Sequence, residues 1–142
     1  MAKAPNELIL KDLLDETREV QVVSERASIS DIISTIKKKH VASILVVDED
    51  GNLSGLISEH DVVSAIADNG IEALDDPIAD YMTLDLMVCT PDEKVEDAMR
   101  LMADHNIRHL PVVTESGQLI GFLTILEMLS AYQHAHMPPK SK

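Results

Sequence analysis

The chain has 142 residues, enough for one globular domain or two very small ones. Its 12 basic and 25 acidic residues leave a formal net charge of −13, which disfavours nucleic acid and anionic membranes as partners. The single cysteine, Cys89, excludes an intrachain disulfide and fits a reducing compartment, and no apolar run has the length of a signal peptide or a membrane span. We therefore expect a soluble, cytoplasmic protein.

Residues 1–20 contain a leucine-rich stretch that predicts a short amphipathic lead-in helix. Residues 21–70 then predict a strand, a helix, two strands and a second helix. Their bounds are 21–23, 28–39, 43–47, 53–57 and 58 to about 68. The turn between the paired strands, Asp50-Gly51-Asn52, has glycine where a hairpin needs positive φ.

Residues 71–86 are predicted to link this unit to another, with a short helical turn starting at Asp76-Pro77. Residues 87–132 then predict the same order of elements as before. Their bounds are 87–89, 94–105, 109–113, 119–123 and 124 to about 132. The last residues, 133–142, have no apolar stripe and predict a flexible tail.

The two predicted units are copies of each other, because a shift of 66 positions aligns them without a gap. Matching pairs include Val22 with Val88, Asp31 with Asp97, Gly51 with Gly117, Leu53 with Leu119 and Gly55 with Gly121. The stripe Ile29, Ile32, Ile33, Ile36 falls on Val95, Ala98, Met99, Met102, and both have the spacing of one helix face. Each copy alone is near the minimum size for a stable core, so we expect the copies to share one core. The fold class is α/β (α+β), built from two tandem repeats.

Enzyme motifs are absent from the chain, and no catalytic residue is predicted. His105 and His109 have helical spacing, but the first is predicted at a helix end and the second on a strand, so a shared metal is not expected. Cys89 stands where Val23 stands in the other copy, which favours a buried small hydrophobe over a redox residue.

The junction between the last strand and the last helix of each repeat carries a hydroxyl and an acid three residues later. These are Ser58 with Asp61 and Thr124 with Glu127. One explanation is a capping box that satisfies free N–H groups at the helix start. The other is a ligand site, since a helix N-terminus attracts phosphate and a carboxylate can accept hydrogen bonds from both ribose hydroxyls. The residues alone leave both explanations open.

The duplicated unit resembles a tandem pair of CBS (cystathionine-β-synthase-type) domains, most of all the stand-alone bacterial type. The matching stretches are Ile44–Gly51, Gly55–Asp61, Tyr81–Thr83, Cys89–Pro91 and Arg108–Val113. The resemblance implies small sheets packed together with helices outside, and two clefts between the repeats that bind adenine nucleotides. It also implies a homodimer that regulates a partner protein, here unidentified, and no required cofactor.

The resemblance assigns residues to the two clefts. The first would be formed by Ser58, Asp61, Leu56, Ala42 and Ser43 from one repeat and by Thr90, Ile107, Arg108 and His109 from the other. The second, weaker site would use Ser24, Val41, Phe122, Thr124 and Glu127. Glu127 replaces the expected aspartate, which favours structural capping there.

The implied function is an adenosine-nucleotide sensor without enzymatic activity. His60 stands where relatives often carry arginine, and Ser43 adds no charge opposite Arg108, so AMP or another small adenosine ligand is expected rather than a triphosphate. The alternative is a CBS-type dimerisation or interaction scaffold that binds no ligand.

Overall fold

The computed structural model describes residues 3–15 and 20–137, which divide into two compact units. The first-repeat unit is Gln21–Leu86. The second-repeat unit combines the N-terminal segment up to Val20 with the chain from Met87 onward. Each unit is a mixed α/β structure with a small sheet and two helices, in agreement with the predicted fold class.

The first-repeat unit contains a three-stranded sheet in the order β1-β2-β3. Its elements are β1 (Val22–Ser24), α1 (Ile29–Lys39), β2 (Ser43–Val47), β3 (Leu53–Ser58) and α2 (Glu59–Asn69). Strands β1 and β2 are parallel, whereas β2 and β3 form an antiparallel hairpin with Ser43 opposite Ser58. The hairpin turn has Gly51 at φ 85°, which confirms the predicted positive φ.

The second-repeat unit repeats this plan with a smaller sheet. Its elements are α3 (Val95–His105), β4 (His109–Val113), β5 (Leu119–Thr124) and α4 (Ile125–His136). Strands β4 and β5 form an antiparallel hairpin with the same irregularity, between Val112 and Val113, that β2 has between Val46 and Val47.

The strand predicted at 87–89 is reduced to one bridge, between Cys89 and Val112. The Cys89 N–H donates to the Pro111 carbonyl at 3.0 Å, and the Val113 N–H donates to the Cys89 carbonyl at 2.8 Å. The next bond of a parallel ladder would need an N–H from Pro111, which proline lacks. The first repeat has Leu45 at that position, and there the ladder continues through three residue pairs.

The predicted lead-in helix is wrong, because the described part of residues 1–20 forms two short 3₁₀ turns, Pro5–Glu7 and Leu10–Leu13. The N–H groups of Leu10 and Lys11 donate to the carbonyls of Glu93 and Pro91, both at 2.9 Å. These backbone groups bind the second repeat, so they do not form the ladder of an α-helix. Residues 16–19 lie outside the described residues.

Residues 71–86 do more than link the repeats, since they fold onto the first-repeat unit. Two 3₁₀ turns, Gly70–Asp75 and Ile78–Asp80, lie in this stretch, the second of them just after Pro77 as predicted. The Ile78 N–H donates to the Ala27 carbonyl at 2.8 Å, and the Ile29 N–H donates to the Asp76 carbonyl at 3.0 Å.

The buried residues form two clusters, one in each unit. That the two repeats share one core stays a prediction. The first cluster is Ile29, Ile32, Ile44, Val46, Ile57, Val62, Ala65, Ala73 and Ile78. The second is Leu10, Cys89, Val95, Ala98, Met102, Leu110, Val112, Leu123 and Met128. Both helix stripes pack into these cores as predicted. Ile78 and Leu10 complete the two cores from segments outside the minimal repeats.

Helix α4 continues to His136, beyond the predicted boundary at residue 132. Residues 133–136 contain no glycine or proline, and the Met137 N–H still donates to the Gln133 carbonyl at 3.1 Å. Met137 is extended, as is favoured for a residue before proline. The rest of the predicted tail, 138–142, lies outside the described residues. Over the described ranges, no helix is both long and apolar enough to cross a membrane.

Candidate functional site: the strand-to-helix junctions

The junction of β3 and α2 carries the predicted hydroxyl and acid in a closed capping box. The Asp61 N–H donates to Ser58 Oγ at 3.2 Å. In return, Asp61 Oδ2 accepts the Ser58 N–H at 2.9 Å and the Ser58 hydroxyl at 3.0 Å. The capping interpretation is therefore confirmed at this junction. Both bonds that the carboxylate accepts from Ser58 end on Oδ2, and Oδ1 accepts no hydrogen bond from the described residues.

The other first-repeat members of the predicted first site lie around the same junction. The Ala42 carbonyl accepts the N–H of Glu59, the first residue of α2, at 2.9 Å. Ser43 lies directly across the hairpin from Ser58, and Leu56 lies two residues before Ser58 on β3. The structure thus brings these five predicted residues to one end of the β2–β3 hairpin, beside the N-terminus of α2.

One residue at this junction was missed by the sequence analysis. Thr83 forms two backbone hydrogen bonds with Leu56, at 2.9 and 2.8 Å, and its hydroxyl donates to Asp61 Oδ2 at 3.4 Å. The stretch Tyr81–Thr83 supported the resemblance but received no role. The available sequence signal was the position of this stretch just before the second repeat. Its role became clear once the structure showed that Thr83 pairs with Leu56 on β3.

The remaining predicted members of the first site lie in the second-repeat unit. Arg108 is exposed, forms no ion pair with the described residues, and its carbonyl accepts the Ile125 N–H at 2.9 Å. Ile107 packs against the second core. The Thr90 N–H donates to Glu93 Oε2 at 2.6 Å. That these residues and Ser58 with Asp61 contact one ligand stays a prediction.

His109 lies at the start of β4 and stacks on Phe122, with ring centroids 5.2 Å apart. The resemblance assigned these two residues to different clefts, yet they lie side by side on one hairpin. His105 lies at the end of α3 as predicted, where its Nδ1 lies 3.0 Å from the Leu101 carbonyl oxygen. No set of three metal-binding side chains is found in the part of the chain that the structure describes.

The junction of β5 and α4 repeats the capping box with a longer acid. Glu127 Oε1 accepts the Thr124 N–H at 3.2 Å and the Thr124 hydroxyl at 3.1 Å, and the Glu127 N–H donates back at 3.1 Å. Structural capping is confirmed here as well. Of the other second-site residues, Ser24 accepts the Arg26 N–H at 3.2 Å, and Val41 packs against the first core. Both of these lie in the first-repeat unit.

Cys89 is a free, buried thiol, as predicted, with 1% of its surface exposed. Burial, with a smaller effect from the negative charge of Glu93, raises its pKa from 9.0 to about 12. The residue is therefore a neutral thiol at physiological pH, which disfavours a redox or nucleophilic role.

The repeated plan and the sequence together identify the class of protein. The CBS-domain family model matches the chain twice, over residues 10–68 and 78–134. The chain therefore belongs to the CBS-domain family, as a tandem CBS pair.

Similar proteins include both uncharacterised and ligand-bound examples. An uncharacterised 17.7 kDa protein of Acidianus ambivalens is 32% identical over 84% of this chain and 71% of its own length. The structure of CBSX2 from Arabidopsis thaliana in complex with AMP is 27% identical, with a TM-score of 0.76 over 89% of this chain and 97% of that one. The CBS pair of protein MJ0100, in complex with 5′-methylthioadenosine and S-adenosyl-L-methionine, is 25% identical, with a TM-score of 0.70 over 89% and 96%.

Proposed function

We propose that this CBS pair is a non-catalytic regulatory module that binds an adenosine nucleotide of the AMP type and acts on a partner protein. The observation that carries the proposal is the arrangement of Asp61 at the start of α2. Its Oδ2 is held by the capping box, while Oδ1 is left to accept from a ligand hydroxyl. The AMP bound by CBSX2 and the adenosine compounds bound by MJ0100 support a ligand of this class.

The chemistry of the junction suits a ribose phosphate. The first N–H groups of α2 and the positive end of its dipole favour a phosphate, and a carboxylate accepts from ribose hydroxyls. Arg108 supplies an exposed guanidinium whose fork matches phosphate oxygens. The net charge of −13 favours a small anion held by local donors over a triphosphate.

The first experiment is a thermal-shift panel with AMP, ADP, ATP, NAD and S-adenosylmethionine on wild-type protein and two variants. Asp61→Ala removes the proposed ligand contact together with a helix cap. Asp31→Ala removes the same type of cap, since Asp31 pairs with Ser28 at the start of α1 just as Asp61 pairs with Ser58. Each variant loses about 1 kcal/mol of stability through its cap.

A ligand bound at a hundredfold excess over its dissociation constant stabilises the folded state by about 2.7 kcal/mol. We expect AMP to raise the melting temperature of wild type and of Asp31→Ala, with little effect on Asp61→Ala. Equal AMP shifts in both variants would reduce Asp61 to a helix cap. A flat panel for wild type, on folded protein freed of copurified nucleotide, would favour the scaffold instead.

A second candidate, the ligand-free scaffold, has an observation in its favour. Helices α2 and α4 carry large apolar side chains on the surface of the single chain, with Val63 64%, Leu126 71% and Leu129 51% exposed. Exposed apolar patches are typical of interaction surfaces, and Val63 and Leu129 stand at equivalent positions of the two repeats. We propose that a second copy of the chain covers them, in the sensor and in the scaffold alike.

Light scattering tests this homodimer. We expect twice the chain mass for wild type, and a monomer for Leu129→Glu, because a carboxylate is costly to bury in an apolar interface. Gln118→Glu adds the same charge at an exposed position outside α4, in the turn before β5, and serves as the control. A wild-type monomer at all concentrations, or a Leu129→Glu dimer as stable as wild type, would contradict the assignment.

A further inference from the structure

Within the described chain, Thr83 is the one residue from the segment between the repeats whose side chain forms a hydrogen bond with a proposed ligand residue. Its hydroxyl donates to Asp61 Oδ2 at 3.4 Å. The same oxygen accepts the N–H and the hydroxyl of Ser58, so three donors converge on it. The carboxylate is thereby turned with Oδ2 towards the protein.

The backbone fixes Thr83 in this place. Its N–H donates to the Leu56 carbonyl at 2.8 Å, and its carbonyl accepts the Leu56 N–H at 2.9 Å, which makes a closed pair of bonds beside β3. Gly55 allows this approach, because a Cβ on residue 55 would lie 2.8 Å from the Thr83 carbonyl oxygen. The segment is thus held against the same strand that leads into Ser58.

The corresponding place in the second repeat carries a different side chain. Met82 lies against Gly55, and Leu14 lies in the corresponding place against Gly121. The residue after Leu14 is Asp15, which lines a small crevice together with Phe122, the counterpart of Leu56. An ionised carboxylate at this place has no proton to donate, whereas the Thr83 hydroxyl can donate to Asp61.

We infer that Thr83 is a positioning residue for the proposed nucleotide site, holding the Asp61 carboxylate in the orientation that leaves Oδ1 open to the ligand. The inference rests on the proposed function.

The test is a calorimetric titration of AMP, 5′-methylthioadenosine and S-adenosylmethionine into wild type and four variants. Thr83→Val and Thr83→Ala remove the hydroxyl with and without an isosteric replacement, whereas Thr83→Ser retains it. Thr35→Val is the matched control, because the Thr35 hydroxyl donates to the Asp31 carbonyl on α1 of the same unit, at 2.9 Å. Circular dichroism and thermal melts establish that each variant is folded.

We expect the valine and alanine variants to bind the preferred ligand about fivefold more weakly, the size of effect of one lost hydrogen bond. The serine variant and the Thr35 control should stay within about twofold of wild type. Wild-type binding with no loss in Thr83→Val and Thr83→Ala, or an equal loss in Thr83→Ser, would overturn the role of the Thr83 hydroxyl and leave the proposed function standing. If wild type bound none of the three compounds, the proposed function would fail, and this inference with it.

Discussion

At the scale of single residues, the two repeats have the same capping box but differ in the length of its acid, which is aspartate in the first repeat and glutamate in the second. Asp61 and Glu127 close the same capping box by the same three hydrogen bonds. The sequence predicted both boxes, because the spacing of hydroxyl and acid is a local signal. The contact between Thr83 and Asp61 could not be predicted from the sequence, because the two residues are 22 positions apart and Thr83 approaches Asp61 through its backbone pairing with Leu56.

The glycines before the two junctions are equivalent in sequence but not in what surrounds them. A Cβ on Gly55 would meet the backbone carbonyl of Thr83, whereas one on Gly121 would meet Leu14 Cδ2, the end of a flexible side chain. We expect Gly55→Ala to cost about 1–3 kcal/mol of stability and Gly121→Ala clearly less, because only the leucine can rotate away. Urea denaturation of both variants measures the difference, and equal losses would contradict the distinction.

Cys89 makes stability depend on pH in the alkaline range. Its pKa is about 12 in the folded state against an ordinary 9.0, so between these values the unfolded chain loses a proton that the folded chain keeps. The stabilising effect is complete below pH 9 and is lost as the pH rises towards 12, by at most about 1.4 kcal/mol per pH unit.

Val23 occupies the equivalent place in the first repeat, which makes Cys89→Val a natural comparison. We expect the free energy of unfolding to fall more steeply for wild type than for Cys89→Val between pH 9 and pH 11. Urea titrations at a series of pH values provide the measurement. Parallel curves would show that the thiol is less protected from water than its burial indicates.

At the scale of elements, most of the repeat was predictable and its flanking segments were not. Helices α1 and α3 and the two hairpins followed from apolar spacing and glycine turns, which are local properties. The sequence predicts a helix around Leu10 and a linker around Ile78. Nothing local indicates that the Leu10 N–H donates to a carbonyl just before α3, or that the Ile78 N–H donates to a carbonyl just before α1. The prediction of a strand at 87–89 was wrong because Pro111, on the neighbouring strand, has no N–H to continue the ladder.

Each of the two flanking segments contributes a buried residue to a core. Leu10 and Ile78 are both fully buried, the first in the second-repeat core and the second in the first-repeat core. We expect Leu10→Ala and Ile78→Ala each to cost about 2–5 kcal/mol, as large-to-small core changes do. Leu84→Ala, at an exposed position in the same linker as Ile78, should change stability by less than about 0.5 kcal/mol.

Amide hydrogen exchange shows which of the two units each substitution destabilises. In Leu10→Ala, the amides of α3 and β4 should exchange faster, while those of α1 and β2 keep more of their protection; Ile78→Ala should show the reverse. Uniform acceleration in both variants would mean that the two units open only together.

At the scale of the whole molecule, each compact unit is completed by the segment that precedes the other repeat. The family model begins its two matches at residues 10 and 78, so each match contains a short piece that folds onto the other match's unit. The ungapped shift of 66 predicted the duplication. Only the structure shows that each flanking segment folds onto the unit of the other repeat. One consequence is that the junction at Asp61 contains Thr83, a residue from the connection between the repeats.

In the proposed function, an adenosine nucleotide binds at the Ser58–Asp61 junction, whereas the Thr124–Glu127 junction is only a helix cap. The most direct measurement is isothermal titration of AMP into wild type, Asp61→Ala and Glu127→Ala, because the two variants remove equivalent acids from equivalent capping boxes. We expect one equivalent of AMP per chain for wild type, with binding retained in Glu127→Ala and lost in Asp61→Ala. Binding that survives Asp61→Ala unchanged would contradict this expectation.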